Sequence, residues 1–484
     1  MFAFILSVIA LIVGYLVYGK FVEKVFGPND ANPTPAERLA DGVDYVPMSL
    51  KKTFLIQFLN IAGTGPIFGA ILGAMWGPMA FIWIVFGCIF AGAVHDYLIG
   101  MMSLRKDGDS VAELVGHNLG NGAKQLMRIF SVVLLVLVGV VFVTSPAGLL
   151  NKLMPQVSTL VFVCIIIVYY IVATVLPIDK LIGKIYPIFG VCLLIMAVGI
   201  GVGIVVQGYQ LPEFAFRNFN PKGTPIFPTL CITIACGAIS GFHATQSPMM
   251  ARCLTSESQG RKVFYGAMIT EGVVALVWAA AAMSFFGGVE GLATQGSNPA
   301  VVVNTISNTV LGKVGGALAI LGVVACPITS GDTAFRSARL TIADALNYKQ
   351  GPIMNRFIIA IPLFAIGIVL CNVNFNILWR YFSWSNQTLA AIALWAAATY
   401  LAKNKKFYWI ALVPAVFMTV VCTSFIVISP IGFRNLFHAL DDNSVLMTGN
   451  ILGIALAIIC LIGFFRMLKR QNNVEGTVEL EEAE

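Results

Sequence analysis

Long apolar windows alternate with short polar clusters along almost the whole chain. A helix needs about 20 apolar residues to cross the hydrocarbon core of a bilayer, and most of the windows have about this length. Thirteen windows qualify, at 2–19, 54–75, 78–102, 127–150, 156–176, 185–207, 226–249, 263–287, 314–331, 352–371, 386–402, 407–429 and 445–466. The pattern predicts an all-α polytopic membrane protein with about 13 transmembrane helices. Ser110 and Glu113 form a capping box that predicts a short surface helix between the third and fourth windows.

Composition agrees with this pattern. Hydrophobic residues make up 58% of the chain and charged residues 11%, against about 45–50% and 25% in soluble domains. The net charge of +7 is spread over short clusters between the windows, without the basic stripe of a nucleic-acid-binding surface. The lipid bilayer is therefore the expected partner, and nucleic acid is not. The ten cysteines form no C-x-x-C pair, so neither a zinc site nor a disulfide framework is expected. No cofactor is expected either.

The basic residues predict the orientation. With thirteen spans, 24 of the 30 lysines and arginines fall on one side of the membrane, and cytoplasmic loops are the ones that concentrate these residues. The other six are Lys152, Arg217, Lys222, Lys313, Arg380 and Arg434. The split predicts a protein of the inner (cytoplasmic) membrane with its N-terminus outside and its C-terminus inside. The apolar start, followed by Lys20 and Lys24, predicts a retained span rather than a cleaved signal.

Two of the predicted spans are interrupted at their centres. The second window contains residues 60–69 (NIAGTGPIFG) and the seventh contains 236–243 (CGAISGFH), where glycine and proline weaken the helical ladder. In lipid, such an interruption is tolerated where neighbouring protein or a cavity satisfies the freed backbone groups. The alternative is that the glycines only allow close helix packing.

The positions of the two interruptions favour a transporter. Each opens a group of five spans, and the charge count gives the two groups opposite orientations in the membrane. Paired broken helices at corresponding positions of two inverted halves indicate a transporter binding site. The predicted organisation is an extra helix at 1–25, inverted repeats at 54–207 and 226–402, two extra helices within 403–470, and a disordered cytoplasmic tail at 471–484.

Five longer blocks resemble one known family. They are GTGPIFGAILGAMWGP (63–78), GCIFAGAVHDYLIGMMSLRKDGDSVAEL (87–114), FPTLCITIACGAISGFHATQSP (227–248), TSGDTAFRSARLTIAD (329–344) and FSWSNQTLAAIAL (382–394). Together they resemble the carbon starvation protein A family of transporters. The resemblance implies the LeuT-type five-plus-five fold of the amino-acid/cation superfamily. It also implies uptake of pyruvate or small peptides during nutrient limitation, driven by a proton or sodium gradient.

The predicted function is secondary active import of a small organic acid, with pyruvate as the first expectation. The alternative substrates are di- and tripeptides or amino acids, and a nutrient sensor without net transport is the alternative of another class. A channel is also possible, although no filter-like repeat is present. An enzyme is not expected, because the chain has no nucleophile–base motif and no phosphate-binding loop. The sequence does not indicate an oligomeric state.

The predicted substrate site lies at the two interruptions. The positive ends of half-helices suit an anionic substrate group, and freed carbonyl groups suit a cation. The candidate substrate-binding residues are Gly63, Thr64, Gly65, Pro66, Cys236, Gly237, Ser240, Gly241 and His243. A structural role for His243 is the simpler alternative. Asn386 and Gln387, expected to begin the eleventh span, are assigned to packing.

Five polar residues at membrane depth are candidates for ion coupling, because ionisable groups are costly there. Asp96 lies near the depth of the first interruption, and Glu271 reads as a lone mid-membrane carboxylate. Thr329, Ser330 and Asp332 end the ninth span, and the resemblance implies a sodium site on the two hydroxyl groups. The alternatives are an ion pair or capping contact near the cytoplasmic end for Asp96, a protonated structural acid for Glu271, and a helix cap for Asp332. His95 is expected to be a hydrogen-bonded structural partner.

Overall fold

The protein is helical throughout the part that its computed structural model describes. The backbone is described for 1–42, 44–175, 178–295 and 298–481, and side chains at 178–187 and 471–481 are left out. The helices are α1 Phe2–Leu16, α2 Tyr18–Phe26, α3 Pro35–Arg38, α4 Leu50–Ala62, α5 Gly65–Gly73, α6 Met79–Gly87, α7 Ala93–Arg105, α8 Val111–Leu119, α9 Asn121–Leu153, α10 Thr159–Val175, α11 Ile178–Val206, α12 Thr229–Thr233, α13 Gly241–Ala251, α14 Gly266–Phe285, α15 Val289–Thr294, α16 Pro299–Ala319, α17 Cys326–Ala345, α18 Ile353–Leu370, α19 Phe375–Lys403, α20 Trp409–Ile428 and α21 Asp442–Glu481.

Several of these helices join into membrane-spanning rods. Among the described residues, nine helical stretches are long and apolar enough to span a bilayer, or ten when the bent pair α4–α5 counts as one. The multi-pass membrane fold is therefore confirmed, whereas the predicted count of thirteen is not. Helix α10, of 17 residues, is shorter than a full span, and the stretch α12–α13 is too interrupted to qualify. The surface helix α8 begins as predicted, with the Ser110 hydroxyl accepting a hydrogen bond from the Glu113 N–H.

The first interruption is a bend of 45° between α4 and α5. Gly63 adopts φ 35° and ψ −141°, a conformation that residues with a Cβ rarely adopt. Pro66 lies in the first turn of α5, where its missing N–H costs no helical hydrogen bond. The break thus follows directly from the local sequence.

The second interruption is longer than the first. Helix α12 ends at Thr233, and α13 begins only at Gly241, with Gly237 at φ 89° in between. A positive φ of this size again favours glycine. The unwound stretch 234–240 starts two residues earlier than the predicted interruption, which began at Cys236.

Burial separates the helices into a core and a periphery. The apolar windows of Met79–Arg105 and Glu257–Phe285 are 83% buried inside the protein, whereas that of Asp442–Arg470 is only 17% buried. The two buried rods pack against the broken helices, through contacts of α7 with α13 and of α14 with α4 and α5. Asp96 and Glu271 therefore lie on the two most enclosed helical rods.

The N-terminal helices are tied to the core at the basic side of the protein. Arg105 Nη2 pairs with Glu257 at 2.8 Å and donates to the Gly27 carbonyl at 2.7 Å. Glu257 also accepts from the Asn29 N–H at 2.8 Å, and Arg261 pairs with Glu23 at 2.7 Å. These contacts hold α2 and the following loop against α7 and the start of the α14 rod.

One predicted helix start is wrong. Asn386 and Gln387 do not begin a helix, because α19 starts at Phe375 and places them in its interior. The first turns of α19 carry Asn376, Arg380, tryptophan and tyrosine, which lower the mean hydropathy of this segment. The apolar window therefore began only at 386. The predicted domain boundaries stay predictions. The side chains of Lys180 and Lys184, which were counted in the charge split, lie outside the described part. The same holds for the side chains of the predicted tail at 471–484.

Candidate functional site

The two interruptions abut at the centre of the protein. A methyl group on Gly65 would lie 2.5 Å from the Cys236 Sγ, and one on Gly237 would lie 3.7 Å from the Pro66 Cα. A methyl group on Gly69 would contact Thr233, and one on Gly73 would contact Ile234. Helix α5 is therefore packed closely against the second break along most of its length. The structure therefore brings together predicted site residues that lie about 170 positions apart in the chain.

Helix α19 is hydrogen-bonded to the second interruption through Asn386. The Asn386 side-chain oxygen accepts a hydrogen bond from the Phe242 N–H at 2.6 Å, and its Nδ2 donates to the Ser240 hydroxyl at 3.0 Å. Gly241 lies against the Asn386 carbonyl, which a methyl group would approach to 2.3 Å. Asn386 thus acts as the N-terminal cap of α13, a role that the sequence prediction of simple packing missed.

A carboxylate flanked by two imidazoles lies beside the second interruption. His95 Nδ1 and His243 Nδ1 each lie 2.8 Å from one oxygen of Asp96, and all three side chains are fully buried. An ionised carboxylate only accepts hydrogen bonds, so the pair distances place a proton on each Nδ1. His95 is hydrogen-bonded to its neighbour Asp96 on the same helix, and the contact of Asp96 with His243 joins α7 to α13.

Glu271 completes this cluster from α14. His243 Nε2 lies 3.3 Å from Glu271 Oε2, so the carboxylate is not the isolated group that the sequence suggested. Cys236 Sγ, His243 Nε2 and a Glu271 oxygen lie within 4.8 Å of one another. Neither Glu271 oxygen nor His243 Nε2 makes a hydrogen bond within the described residues. The cluster is therefore polar, closed to solvent and incompletely satisfied.

The predicted hydroxyl pair on α17 lies at the first interruption. The Ser330 hydroxyl donates to the Leu59 carbonyl at 3.3 Å, in the last turn of α4. The Thr329 hydroxyl donates to the Cys326 carbonyl of its own helix at 2.7 Å. Ser330 is therefore the member of the pair that faces the freed backbone of α4.

Asp332 has a different environment from the other predicted coupling residues. It pairs with Arg336 one turn later at 3.6 Å, and Arg336 also donates to the Ala173 carbonyl at 2.8 Å. Since α17 is continuous from Cys326 to Ala345, Asp332 does not cap a helix start. It lies inside the helix as part of an ion pair that connects α17 to the end of α10.

Two further polar side chains at the first interruption have no hydrogen-bond partner among the described residues. They are Asn60, through both its Oδ1 and its Nδ2, and Thr64, through its hydroxyl; both are buried. Buried polar groups are normally paired, so these atoms are available to a bound solute. Thr64 is one of the predicted substrate-binding residues, whereas Asn60, three residues before Gly63, is not among them.

Aromatic side chains close the site laterally. Phe142 of α9 lies against Gly63, where a methyl group would come within 2.6 Å of its ring, and it packs edge-on to Phe242 at 6.3 Å. No local pattern in the uniformly apolar α9 window distinguishes Phe142 from its neighbours. The sequence therefore gave no signal for this residue.

A cavity of about 490 Å³ leads toward the site from the side with few basic residues. Lys222 and Arg380 lie at its exposed end, and Thr233, Trp379 and Ser383 line it further in. Ser383 precedes Asn386 by three residues, or about 4.5 Å along α19. The cavity therefore ends about one helical turn from the cap of α13.

Relatives of known sequence agree with a transport protein. The family model described as carbon starvation protein CstA matches residues 1–165, 154–311 and 279–425. An "uncharacterized membrane protein" of Haemophilus influenzae (strain ATCC 51907 / DSM 11121 / KW20 / Rd) is 48% identical over 336 residues, covering 58% of this chain and 91% of that protein. The peptide transporter CstA of Escherichia coli (strain K12) is 27% identical over 554 residues, covering 86% of this chain and 79% of that one.

Solved transporters share the fold. A manganese transporter of Eremococcus coleocola superposes with a TM-score of 0.55 at 13% identity, covering 90% of this chain and 99% of that chain. MhsT in complex with L-phenylalanine superposes with a TM-score of 0.56 at 11% identity, covering 85% and 97%. At such identities the likeness establishes the fold, which is of the LeuT type, as the sequence predicted. Together with the family match over most of its length, this shows that the chain belongs to the carbon starvation protein CstA family of membrane transporters.

Proposed function

We propose that the protein imports short peptides across the cytoplasmic membrane by alternating access, coupled to a sodium gradient. The observation that carries the proposal is the direct contact of the two broken helices. Asn60 and Thr64, buried at the first interruption, have side-chain atoms without a hydrogen-bond partner among the described residues. The peptide transporters among the relatives favour peptides over pyruvate, which was the first expectation from sequence.

The first interruption suits both ends of a short peptide. Helix α4 ends at Ala62 with freed carbonyl groups, which can accept from a peptide ammonium group. Helix α5 begins at Gly65 with freed N–H groups and the positive end of its dipole, which favours a carboxylate. The unpaired amide of Asn60 offers one donor group and one acceptor between these two ends.

Access to the site requires the interruptions to move apart, because Gly65 and Cys236 are already in close contact. The cavity lined by Trp379 and Ser383 gives the route from the side that is poor in basic residues. On the opposite side, Arg252 at the end of α13 donates to the Gly108 carbonyl at 2.9 Å, which ties α13 to the loop after α7. In the orientation predicted from the charges, this arrangement is open toward the outside and closed toward the cytoplasm.

The first prediction concerns substrate. Purified protein in proteoliposomes should accumulate labelled dialanine or trialanine against its gradient when sodium is higher outside, and unlabelled pyruvate should not compete. Counterflow with no imposed gradient separates binding and exchange from coupling. Accumulation of pyruvate without peptide uptake would show instead that the substrate is a small organic acid. Saturable peptide binding without flux would instead indicate a sensor.

The second prediction concerns the coupling ion. Sodium prefers hard oxygen ligands, as calcium and magnesium do, and the Ser330 hydroxyl faces the Leu59 carbonyl at 3.3 Å. Replacing Ser330 by alanine removes one ligand, and a loss of about 1.4 kcal/mol corresponds to a tenfold change in affinity. We expect the sodium concentration for half-maximal peptide uptake to rise by about tenfold or more in Ser330→Ala.

A matched control for this variant is Ser284→Ala. Ser284 is also a buried serine in a core helix, but its hydroxyl donates only within α14, to the Ala280 carbonyl at 2.8 Å. Uptake by Ser284→Ala should keep the sodium dependence of the unmodified protein. If a proton gradient alone drives uptake and Ser330→Ala behaves as Ser284→Ala does, coupling belongs to the carboxylates Asp96 and Glu271 instead.

A further inference from the structure

Three side chains beside the second interruption bring metal-ligating atoms together. They are the Cys236 thiol in the unwound stretch, the His243 imidazole in the first turn of α13, and the Glu271 carboxylate on α14. One ligand atom from each lies within 4.8 Å of the others, and all three residues are buried. A tetrahedral ion with bonds of about 2.0–2.3 Å holds its ligand atoms about 3.3–3.8 Å apart. Small side-chain rotations would therefore bring the three atoms into coordination distance.

The histidine is already oriented as a ligand. Its Nδ1 is bonded to Asp96 at 2.8 Å, which leaves Nε2 facing Glu271 at 3.3 Å. Metal-ligating histidines characteristically bond a carboxylate through the second ring nitrogen, because this fixes the tautomer and the ring orientation. Asp96 is in turn hydrogen-bonded to His95 at 2.8 Å, which fixes the orientation of the carboxylate that orients His243.

Buried polar atoms of the trio that lack a hydrogen bond also favour a bound ion. His243 Nε2 and both Glu271 oxygens make no hydrogen bond within the described residues, although each is fully buried. The Cys236 thiol makes long contacts with Ser240 Oγ and Asn386 Nδ2, each at 3.6 Å, and also interacts with the His243 imidazole. A buried carboxylate that has only an imidazole at 3.3 Å among the described charged groups within 4 Å is costly, and a bound cation would reduce that cost for all three ligands at once.

We propose that Cys236, His243 and Glu271 bind a thiophilic divalent cation of the Zn²⁺ class. A sulfur, an imidazole nitrogen and a carboxylate oxygen suit zinc or cobalt, whereas magnesium and calcium take oxygen ligands. Binding displaces the thiol proton, since the thiolate is the form that ligates metals. Three protein ligands leave a fourth position for water or another small ligand.

A bound ion would cross-link two elements that the proposed transport cycle must separate or rotate. Cys236 lies within the unwound stretch 234–240, His243 lies in the first turn of α13, and Glu271 belongs to the enclosed α14 rod. The ion would therefore fix the second interruption to the core. The binding itself does not depend on the identity of the transported substrate.

The test is a metal titration of the full-length protein purified in detergent and freed of metal with a chelator. Cobalt(II) is the probe, because a thiolate ligand gives it a charge-transfer absorption band and tetrahedral geometry gives it intense visible bands. We expect one tightly bound cobalt per chain with the thiolate band, and displacement of that band by zinc but not by magnesium. Calorimetry with zinc measures the same stoichiometry independently of the absorption.

Matched variants decide whether the band comes from this site. Cys236→Ser should lose the thiolate band, whereas Cys231→Ser should keep it, because Cys231 is equally buried on the same broken span but lies outside the trio. Asp96→Asn, which alters the support of His243, should weaken cobalt binding by about 10–100-fold while the thiolate band remains.

Three results would overturn the proposal. They are absence of stoichiometric binding, equal bands in Cys236→Ser and Cys231→Ser, and full affinity in Glu271→Gln. The titration contains no peptide, so its failure is distinguishable from failure of peptide uptake. Variants that elute as aggregates in size exclusion are replaced by Cys236→Ala, for which the same loss of the band is expected.

Discussion

Gly241→Ala is expected to abolish peptide uptake, although it adds a single methyl group. The new Cβ would lie 2.3 Å from the Asn386 carbonyl oxygen and 2.6 Å from the Ala390 backbone nitrogen. Both atoms belong to the backbone of α19, so no side-chain rotation relieves the contact. The helices would have to separate by about 1 Å, and overpacking of this kind costs about 1–3 kcal/mol. Separation also withdraws Asn386 from the Phe242 N–H that it caps at 2.6 Å.

The matched control is Gly148→Ala on α9. A methyl group there meets no atom within 4 Å, and alanine is favoured over glycine in a helix interior by about 1 kcal/mol. Gly148→Ala should therefore transport as the unmodified protein does and melt at the same temperature or slightly higher. Uptake and thermal unfolding are measured on both variants in parallel. Normal uptake by Gly241→Ala would show that α13 and α19 are not held in the close contact described.

Local chemistry made the broken helices predictable from sequence. The first break needs a positive φ at Gly63 and a proline in the first turn of the next helix, and both signals lie within four residues. The second break likewise contains Gly237 at φ 89°. Predictions of this kind succeed because the glycine and proline constraints act on the residue itself and do not depend on distant partners.

The cluster around His243 could be predicted only in part. Asp96 and Glu271 were identified because charged residues at membrane depth are rare and costly. Their contacts with His243 were not predicted, because His243 lies 147 residues from Asp96 in the chain and 28 residues from Glu271. Glu271 consequently seemed to be isolated, although it faces an imidazole at 3.3 Å.

Phe142 and the start of α19 show two further limits of sequence patterns. Phe142 packs at the first break from within an apolar run of α9 (LLVLVGVVFV, 134–143), and only the tertiary contact distinguishes it. Helix α19 begins with residues FNILWRYFSWS, whose arginine and amide groups at the cavity lower its hydropathy. Contact with lipid requires apolar residues, whereas a helix largely enclosed by protein, as α19 is, can carry polar ones.

Asp96→Ala is expected to destabilise the protein more than any other single side-chain truncation in this cluster. The carboxylate bonds two buried imidazoles at 2.8 Å each, so its removal leaves both Nδ1 groups without an acceptor. Breaking one buried ion pair by removing a partner costs about 3–5 kcal/mol. Because His95 is on α7 and His243 on α13, the loss also loosens the second interruption from the core. Thermal unfolding in detergent, followed by tryptophan fluorescence, measures the effect.

Asp96→Asn separates the hydrogen bonds from the charge. Asparagine keeps the side-chain volume and one acceptor oxygen, but its NH₂ group faces the other imidazole. The melting temperature should therefore rank the unmodified protein first, Asp96→Asn second and Asp96→Ala last. Asp344→Ala is the control, since that carboxylate is exposed at the end of α17, where substitutions stay within about 0.5 kcal/mol. If Asp96→Ala melted together with Asp344→Ala while uptake was lost, the carboxylate would serve the transported ion alone. A large loss of stability would instead show that the Asp96–histidine pairs brace the broken helix from which the site is built.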